Sequence, residues 1–242
     1  QYLTFYFKAK TYNVDFNRTG LAEQSVADIL KRTNTFKHSN KISPDLIDKM
    51  KKVQKPADDF NDYEFEKLID EATGYELDVN TPYNKNLVVK PVFKAKPVLV
   101  SVTPKATDSD IDKVNSQTWP IQKVFAGQPF NYLPLGTNIK KGWKFLGWTT
   151  LPGGSVEQIT VRRTTSEVYA VFAPTETNYT IRHILEGIEN EIDEVTKETY
   201  GKAKTNDTVT ISKSDRLKEF DSGFVVKTPS QSKVIQADGS TV

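Results

Sequence analysis

Cysteine is absent from this chain of 242 residues. Disulfide frameworks, thiolate zinc sites and cysteine nucleophiles are therefore excluded. Histidine is scarce, at two residues, which leaves little material for general acid–base chemistry. Neither charge sign dominates: 33 Lys and Arg against 31 Asp and Glu leave a net charge of +2. Without a basic excess there is no electrostatic footprint for phosphate, which argues against a nucleic-acid partner. No apolar run approaches the ~18 residues of a membrane-spanning helix, and no signal peptide or sorting tail is visible. Catalytic signatures such as Gly-x-Ser-x-Gly and His-Glu-x-x-His are missing as well. The sequence therefore predicts no catalytic residue, no cofactor and no enzyme activity.

What is present is repetition. The tetrapeptide FKAK occurs at Phe7–Lys10 and again at Phe93–Lys96, each time between two β-like runs. A looser copy, Val171-Phe172-Ala173-Pro174, follows. Upstream, "DYEFEKLIDE" (Asp62–Glu71) lies over "GWKFLGWTTL" (Gly142–Leu151), so that Tyr63 matches Trp143, Phe65 matches Phe145 and Leu68 matches Trp148. Large apolar residues in matching phase mark a recurring module that FKAK closes.

The boundaries follow from that register. Residues 1–10 read as the closing strand of a preceding module, or as a strand lent to the first. Module one spans 11–96, module two 97–174 and module three 175–242. The linkers are short and contain Pro97 or Pro174, which favours stiff spacers over flexible tethers. The chain opens inside a strand-like run and stops after "DGSTV", where one more strand is expected. The chain reads as a piece cut from something longer, and the last strand of module three is either missing or supplied by a neighbour.

Within module one, "YNVDF" alternates as a strand does. "LAEQSVADILKRT" sets Leu21, Val26, Ile29 and Leu30 on one helical stripe. "SPDLIDKMKKV" is a second helix, with Ser43 at the N-cap, Pro44 at the first helical position, and Leu46, Ile47, Met50 and Val53 on the buried face. "YEFEKLI" and "YELDV" read as strands joined through Gly74. Pro91 removes a ladder donor from "NLVVKPVFKAK", so that strand must be an edge there or carry a bulge. In module two, "DSDIDKVNSQ" gives at most two helical turns. "KVFAGQPFNYL", "KFLGWTTL", "SVEQITV" and "EVYAVFA" are strand candidates, and "LPGGS" is a turn. In module three, "NYTIRHILEG" opens as a strand, "SKSDRLKEF" reads as a short helix, and "ADG" as a tight turn.

The stretch "GWKFLGWTTLPGGSVEQITVRRTTSEVYAVFAP" (Gly142–Pro174) resembles the second half of the internalin-type B-repeat, or Listeria–Bacteroides repeat. "NDYEFEKLIDEATGYELDVNTPYNKNLVVKPVFKAK" is a degenerate match that keeps Tyr63, Phe65 and "NTPYNKNL" but replaces the Gly-Trp pair with Lys67-Leu68. "NYTIRHILEG", "TKETYGKAKTNDTVT" and "SQSKVIQADGSTV" in module three are similar to the mucin-binding-protein (MucBP) repeat. The resemblances imply an α+β, mostly β chain of small β-grasp-like modules in an elongated tandem array, with a helical insertion in module one. They also imply an extracellular place on a Gram-positive cell wall, and a stalk or adhesive role. The partners implied are neighbouring modules of the parent chain and host glycan (mucin) or a host surface protein.

Few residues are candidates for chemistry. Asp108, Asp110 and Asp112 alternate as cation ligands can. However, the calcium-loop positions six and twelve hold Lys113 and Trp119 where Gly and Glu are needed, so a solvated helix start is the better reading. Trp143 and Trp148 could form a sugar-stacking platform. A separation of five puts them on opposite faces of a regular strand unless Gly147 bulges, and small modules need their aromatics inside, so core packing is the preferred reading. His38 reads as a loop residue, His183 as an ordinary strand residue, and "PADDFNDYE" as a polar turn. A Lys–Asn isopeptide cross-link is conceivable in a cysteine-free surface domain, but no pair can be assigned.

Overall fold

The computed structural model describes residues 2–30, 34–185, 194–215, 225, 227 and 230–236. The described residues are mostly β, with 44% in strands against 13% in helices. The elements are β1 (Thr11–Phe16), α1 (Glu23–Leu30), β2 (Thr35–Lys37), α2 (Pro44–Lys51), β3 (Asn61–Asp70), β4 (Leu87–Pro97), β5 (Leu99–Lys105), β6 (Gln122–Phe125), β7 (Trp143–Thr149), β8 (Glu167–Pro174), β9 (Glu176–Leu185), β10 (Glu194–Lys204), β11 (Thr208–Ser212) and β12 (Ser230–Val234). Short 3-10 turns occupy Asp108–Lys113, Gly136–Asn138 and Lys213–Asp215.

Two four-stranded sheets share one plan. The first has the order β2-β1-β4-β3 and the second β6-β5-β8-β7. In each, the two central strands run parallel, β1 with β4 and β5 with β8. An antiparallel closing pair flanks them, β3 with β4 and β7 with β8. The match extends to single residues. Phe65 faces Phe93 and Phe145 faces Phe172, and in both sheets the register shifts immediately afterwards, at Phe65/Lys67 and at Phe145/Gly147. Both phenylalanine pairs meet edge to face, at 6.1 and 6.3 Å between centroids. A β-bulge inserts one residue into a strand, and here the same register shift recurs in both sheets.

The chain divides into two compact units. One comprises Gln1–Val100, Phe125–Gln128 and Val161–Thr164, and the other comprises the rest. In the first unit, Val26 and Ile29 of α1 and Leu46, Ile47 and Met50 of α2 share a core with Val14, Leu68, Leu87 and Val89 of the strands. These are the helical stripes expected from the 3.6-residue period. Pro44 stands at the start of α2 and Ser43 at its N-cap position, but the serine side chain forms no capping bond. Its backbone carbonyl instead accepts the Ile47 N–H at 3.1 Å.

Pro91 occupies a place that tolerates it. β1 pairs with β4 only over Leu87–Val89, and Asn17 N–H ends that ladder on the Val89 carbonyl at 2.8 Å. Backbone polar groups alternate sides along a strand. The imide nitrogen of Pro91 therefore faces the side of β4 from which β1 has already departed.

Some expected strands are absent. "YELDV" makes a single bridge, Ile69 to Glu76, because Asp78 turns the chain: its Oδ1 accepts the Asn80 N–H at 2.9 Å. "SVEQITV" is reduced to the Pro129–Thr160 bridge. It contributes buried side chains instead, Ile159 and Val161. Of "SKSDRLKEF", the described part is one 3-10 turn, Lys213–Asp215; the remainder and the "ADG" turn lie outside the described residues.

β9 and β10 pair antiparallel through the register Thr180 to Tyr200 and Tyr179 to Gly201. β11 pairs with β12. Thr175 N–H donates to the Gly142 carbonyl at 2.8 Å, and Thr205 N–H to the Thr175 carbonyl at 3.2 Å. Residues 2–10 belong to no strand and are exposed throughout.

Candidate functional site: a charged clasp on the Asp58–Asp62 turn

The acidic stretch before β3 is a tightly organised turn. Asp58 Oδ1 accepts the backbone N–H groups of Phe60 at 2.9 Å and Asn61 at 2.7 Å. A short polar side chain that bonds its own backbone two residues on fixes a turn without secondary structure. The other oxygen, Oδ2, accepts the Tyr63 hydroxyl at 2.5 Å. That hydroxyl, followed by the two backbone N–H groups, lowers the Asp58 carboxyl to about 2, since donors aimed at a carboxylate favour its charged form. The same bond raises the Tyr63 phenol. Lys55 Nζ sits 3.7 Å from the centroid of the Tyr63 ring.

Two arginines from far along the chain grip this turn, all within the first compact unit. Arg162 Nη1 donates to Asp59 Oδ2 at 2.7 Å, and its guanidinium lies 5.4 Å from the Phe60 ring centroid. Arg163 donates Nη2 to Asp62 Oδ1 at 2.8 Å, Nε to the Asp58 carbonyl at 3.1 Å and its backbone N–H to the Asp59 carbonyl at 2.8 Å. A lysine could not replace it, because only a guanidinium presents several fixed donors in one plane.

Backbone bonds tie further segments to the clasp. Val98 N–H donates to the Phe60 carbonyl, Ala126 N–H to the Val98 carbonyl and Gly127 N–H to the Val161 carbonyl, at 3.0, 2.8 and 2.7 Å. Gly127 has φ +89°, and a Cβ placed on it would stand 3.8 Å from the Phe60 ring. Glycine meets the backbone requirement there at no steric cost.

The ion pairs of the clasp are solvent-accessible, with the Asp62 side chain 62% exposed and Arg163 36%, so each pair alone contributes only ~0–1 kcal/mol. The Arg163 side chain has more effect because its Nε adds a bond to the Asp58 carbonyl. Sequence reading found the acidic turn and missed both arginines. Their partners lie 103 and 101 residues away, and no local pattern connects them.

The candidates from sequence are placed elsewhere. Asp110 accepts Thr107 Oγ1 at 2.6 Å and Lys113 Nζ at 2.5 Å, and Asp108 accepts Gln117 Nε2 at 2.7 Å. Asp112 is exposed. Among the described residues, no three His, Asp or Glu side chains form a metal-binding group.

Trp148 is buried and Trp143 half-buried. The bulge before Gly147 shifts the alternation by one, bringing Trp148 onto the face of Phe145, 5.0 Å away between centroids. Trp148 donates Nε1 to the Tyr132 carbonyl at 2.6 Å and meets Trp119 and Phe130 edge to face, each at 5.6 Å. Trp143 lies under Lys113, whose Nζ is 4.8 Å from the ring centroid. His38 follows β2 in a turn, with Nδ1 3.3 Å from the Tyr12 hydroxyl, and His183 Nε2 lies 3.3 Å from Thr199 Oγ1.

Among the described residues, no helix is long and apolar enough to cross a membrane. No protein-family model, curated protein or solved structure matches this chain.

Proposed function

We propose that this chain is a non-enzymatic, stiff multi-module spacer from a bacterial cell-wall-anchored surface protein, a stalk or adhesive segment. Its four-stranded sheets are read as β-grasp-like modules of the B-repeat kind, and residues 175–242 as a MucBP-like module. Three things support this reading. The strand order 2-1-4-3 with a parallel centre occurs twice. The closing bulge recurs in register. The sequence resemblances point to surface proteins of this type.

The observation that carries the proposal is the clasp. A spacer needs modules that are rigid in themselves, and the clasp braces the start of β3 within the first compact unit. There, Arg162 and Arg163 hold the Asp58–Asp62 turn, and Val98 is bonded to Phe60. Geometry of this kind transmits position without chemistry.

Small-angle X-ray scattering tests the reading. A compact globule of this length would have a radius of gyration of about 18 Å. A spacer gives a clearly larger value that does not change with concentration, and the double variant Arg162→Ala/Arg163→Ala gives a broader distance distribution. A radius near the compact value would sink the proposal.

A second reading, direct recognition of host glycan or host protein, draws on Tyr200. Its ring is 74% exposed on β10, as a stacking residue's would be. Glycan-array binding that Tyr200→Ala abolishes would favour this reading.

A further inference from the structure

The exposed segment 2–10 belongs to no strand, yet its sequence has a counterpart in β4 that is paired. Tyr2, Leu3, Phe5, Tyr6 and Phe7 are each 79–100% exposed. Aligned on FKAK, residues 1–10 lie over 87–96 with the last four identical. In β4 those four residues are fully engaged. Phe93 faces Phe65, Lys94 faces Glu64, Ala95 faces Tyr63 and Lys96 faces Asp62, and Lys96 forms an ion pair with Glu64. Connectivity matches as well: β4 passes to β5 across one residue, and the exposed segment runs straight into β1 at Thr11. The segment therefore stands to β1 as β4 stands to β5.

We propose that residues 2–10 are a closing strand for a sheet presented by a separate module of the same type. The acceptor's chemistry can be read from the copies. It carries carboxylates opposite Lys8 and Lys10, where β3 has Glu64 and Asp62, and an aromatic opposite Phe7, where β3 has Phe65 and β7 has Phe145.

It also carries a small residue opposite Phe5. The counterparts of Phe5 are Pro91 and Ala170, which face Leu68 and Trp148, both buried. In each copy a small closing residue accompanies a large acceptor residue. Close packing fixes the volume of that row, so a phenylalanine in the closing strand requires the opposite arrangement. Charge and size together select this acceptor over an arbitrary apolar strand.

The absence of cysteine makes the test clean. Ala9→Cys in the whole chain gives a single thiol at the counterpart of Ala95, which faces Tyr63. The probe is a peptide with the sequence of residues 61–70 carrying Tyr63→Cys and Leu68→Ala. Equilibration in a glutathione buffer, whose disulfide is the oxidant and is reduced to two thiols, compares it with a scrambled peptide and with one in which Asp62 and Glu64 are lysines. The matched peptide is expected to form the mixed disulfide about five-fold more favourably than the scrambled one, as several modest cross-strand pairs would give. Both Phe7→Ala in the chain and lysines in the peptide should remove most of that preference. Amide exchange at residues 3–8 should slow in the matched adduct.

Equal exchange for matched and scrambled peptides would overturn the proposal. So would a disulfide between two copies of the chain that outcompetes both peptides, which would show the segments pairing with each other. The proposal rests on reading the sheets as serial modules. The scattering experiment probes the clasp and the exchange experiment probes residues 2–10, so either can fail alone.

Discussion

The guanidinium of Arg163 is bonded to the carboxylate of Asp62 at 2.8 Å, across 101 residues of sequence. Around that contact Arg163 also holds two backbone carbonyls, those of Asp58 and Asp59. Side chain and backbone of one residue thus grip the turn that starts β3 at three points.

Removing it should be felt as lost docking. Arg163→Ala is expected to destabilise by about 1–2 kcal/mol, since it strips a charged pair and a charge-assisted backbone bond from a partly exposed site. Arg162→Ala should cost below ~1 kcal/mol, because its partner Asp59 and its own side chain are more than half exposed. Urea unfolding measures both. Raising the salt to about 1 M should narrow the gap between wild type and Arg162→Ala. Arg163→Lys should behave like the alanine variant, and recovery of wild-type stability would contradict the role given to the planar fork.

The turn itself predicts an acid response. The Asp58 carboxyl is held at about 2, below its ordinary value of 3.8. A group whose folded pKa is depressed stabilises above its unfolded pKa and loses that contribution as pH falls through the folded one. This contribution is therefore complete above about pH 4 and drains away toward pH 2. Asp58→Asn should flatten the stability curve in that window, and Tyr63→Phe should shift the Asp58 titration upward, followed by the carboxyl carbon resonance. An Asp58 that titrates at its ordinary value would contradict the described geometry.

At Gly147 the second sheet leaves no room. A Cβ there would lie 2.6 Å from Val156 Cγ1. Gly147 also has φ +156°, so Gly147→Ala should cost about 1–3 kcal/mol through overpacking and backbone strain together, and Val156→Ala in the same chain should recover the overpacking part alone. Thermal unfolding of the single and double variants decides, and additive losses would sink the assignment.

The two tryptophans of β7 should respond very differently. Trp148→Ala is expected to cost ~3–5 kcal/mol, as truncation of a buried aromatic does. Trp148→Phe should still cost ~1–3 kcal/mol, because the Tyr132 carbonyl loses its donor. Trp143→Ala should cost ~1 kcal/mol, chiefly the half-exposed packing and the lysine over its ring. If a glycan quenches tryptophan fluorescence in wild type and in Trp148→Phe but not in Trp143→Phe, the stacking role belongs to Trp143.

Much of this protein follows from its sequence by local rules. The helical stripes of α1 and α2 are legible because a 3.6-residue period is a property of the chain itself: Val26, Ile29, Leu46, Ile47 and Met50 are all buried. The alignment of Tyr63, Phe65 and Leu68 with Trp143, Phe145 and Trp148 is legible too, because two sheets of the same strand order and register put them at equivalent positions. Pro91 announced an open side on its strand through the single donor it lacks. The strands expected at "YELDV" and "SVEQITV" misled. Their alternation is real, but a strand needs a partner along its length, and each has only one bridge.

Tertiary structure decided the rest. The bulge at Gly147 turns Trp148 onto the face of Phe145, an outcome set by how β7 pairs with β8 rather than by residue spacing. The clasp needed Arg162 and Arg163 to meet a turn more than a hundred residues earlier, and nothing local to either segment encodes that meeting. Side-chain period and turn chemistry act over a few residues, so the sequence determines them by itself. Pairing between distant segments depends on the whole path of the chain, so only the folded molecule could show which of its many aspartates the two arginines hold.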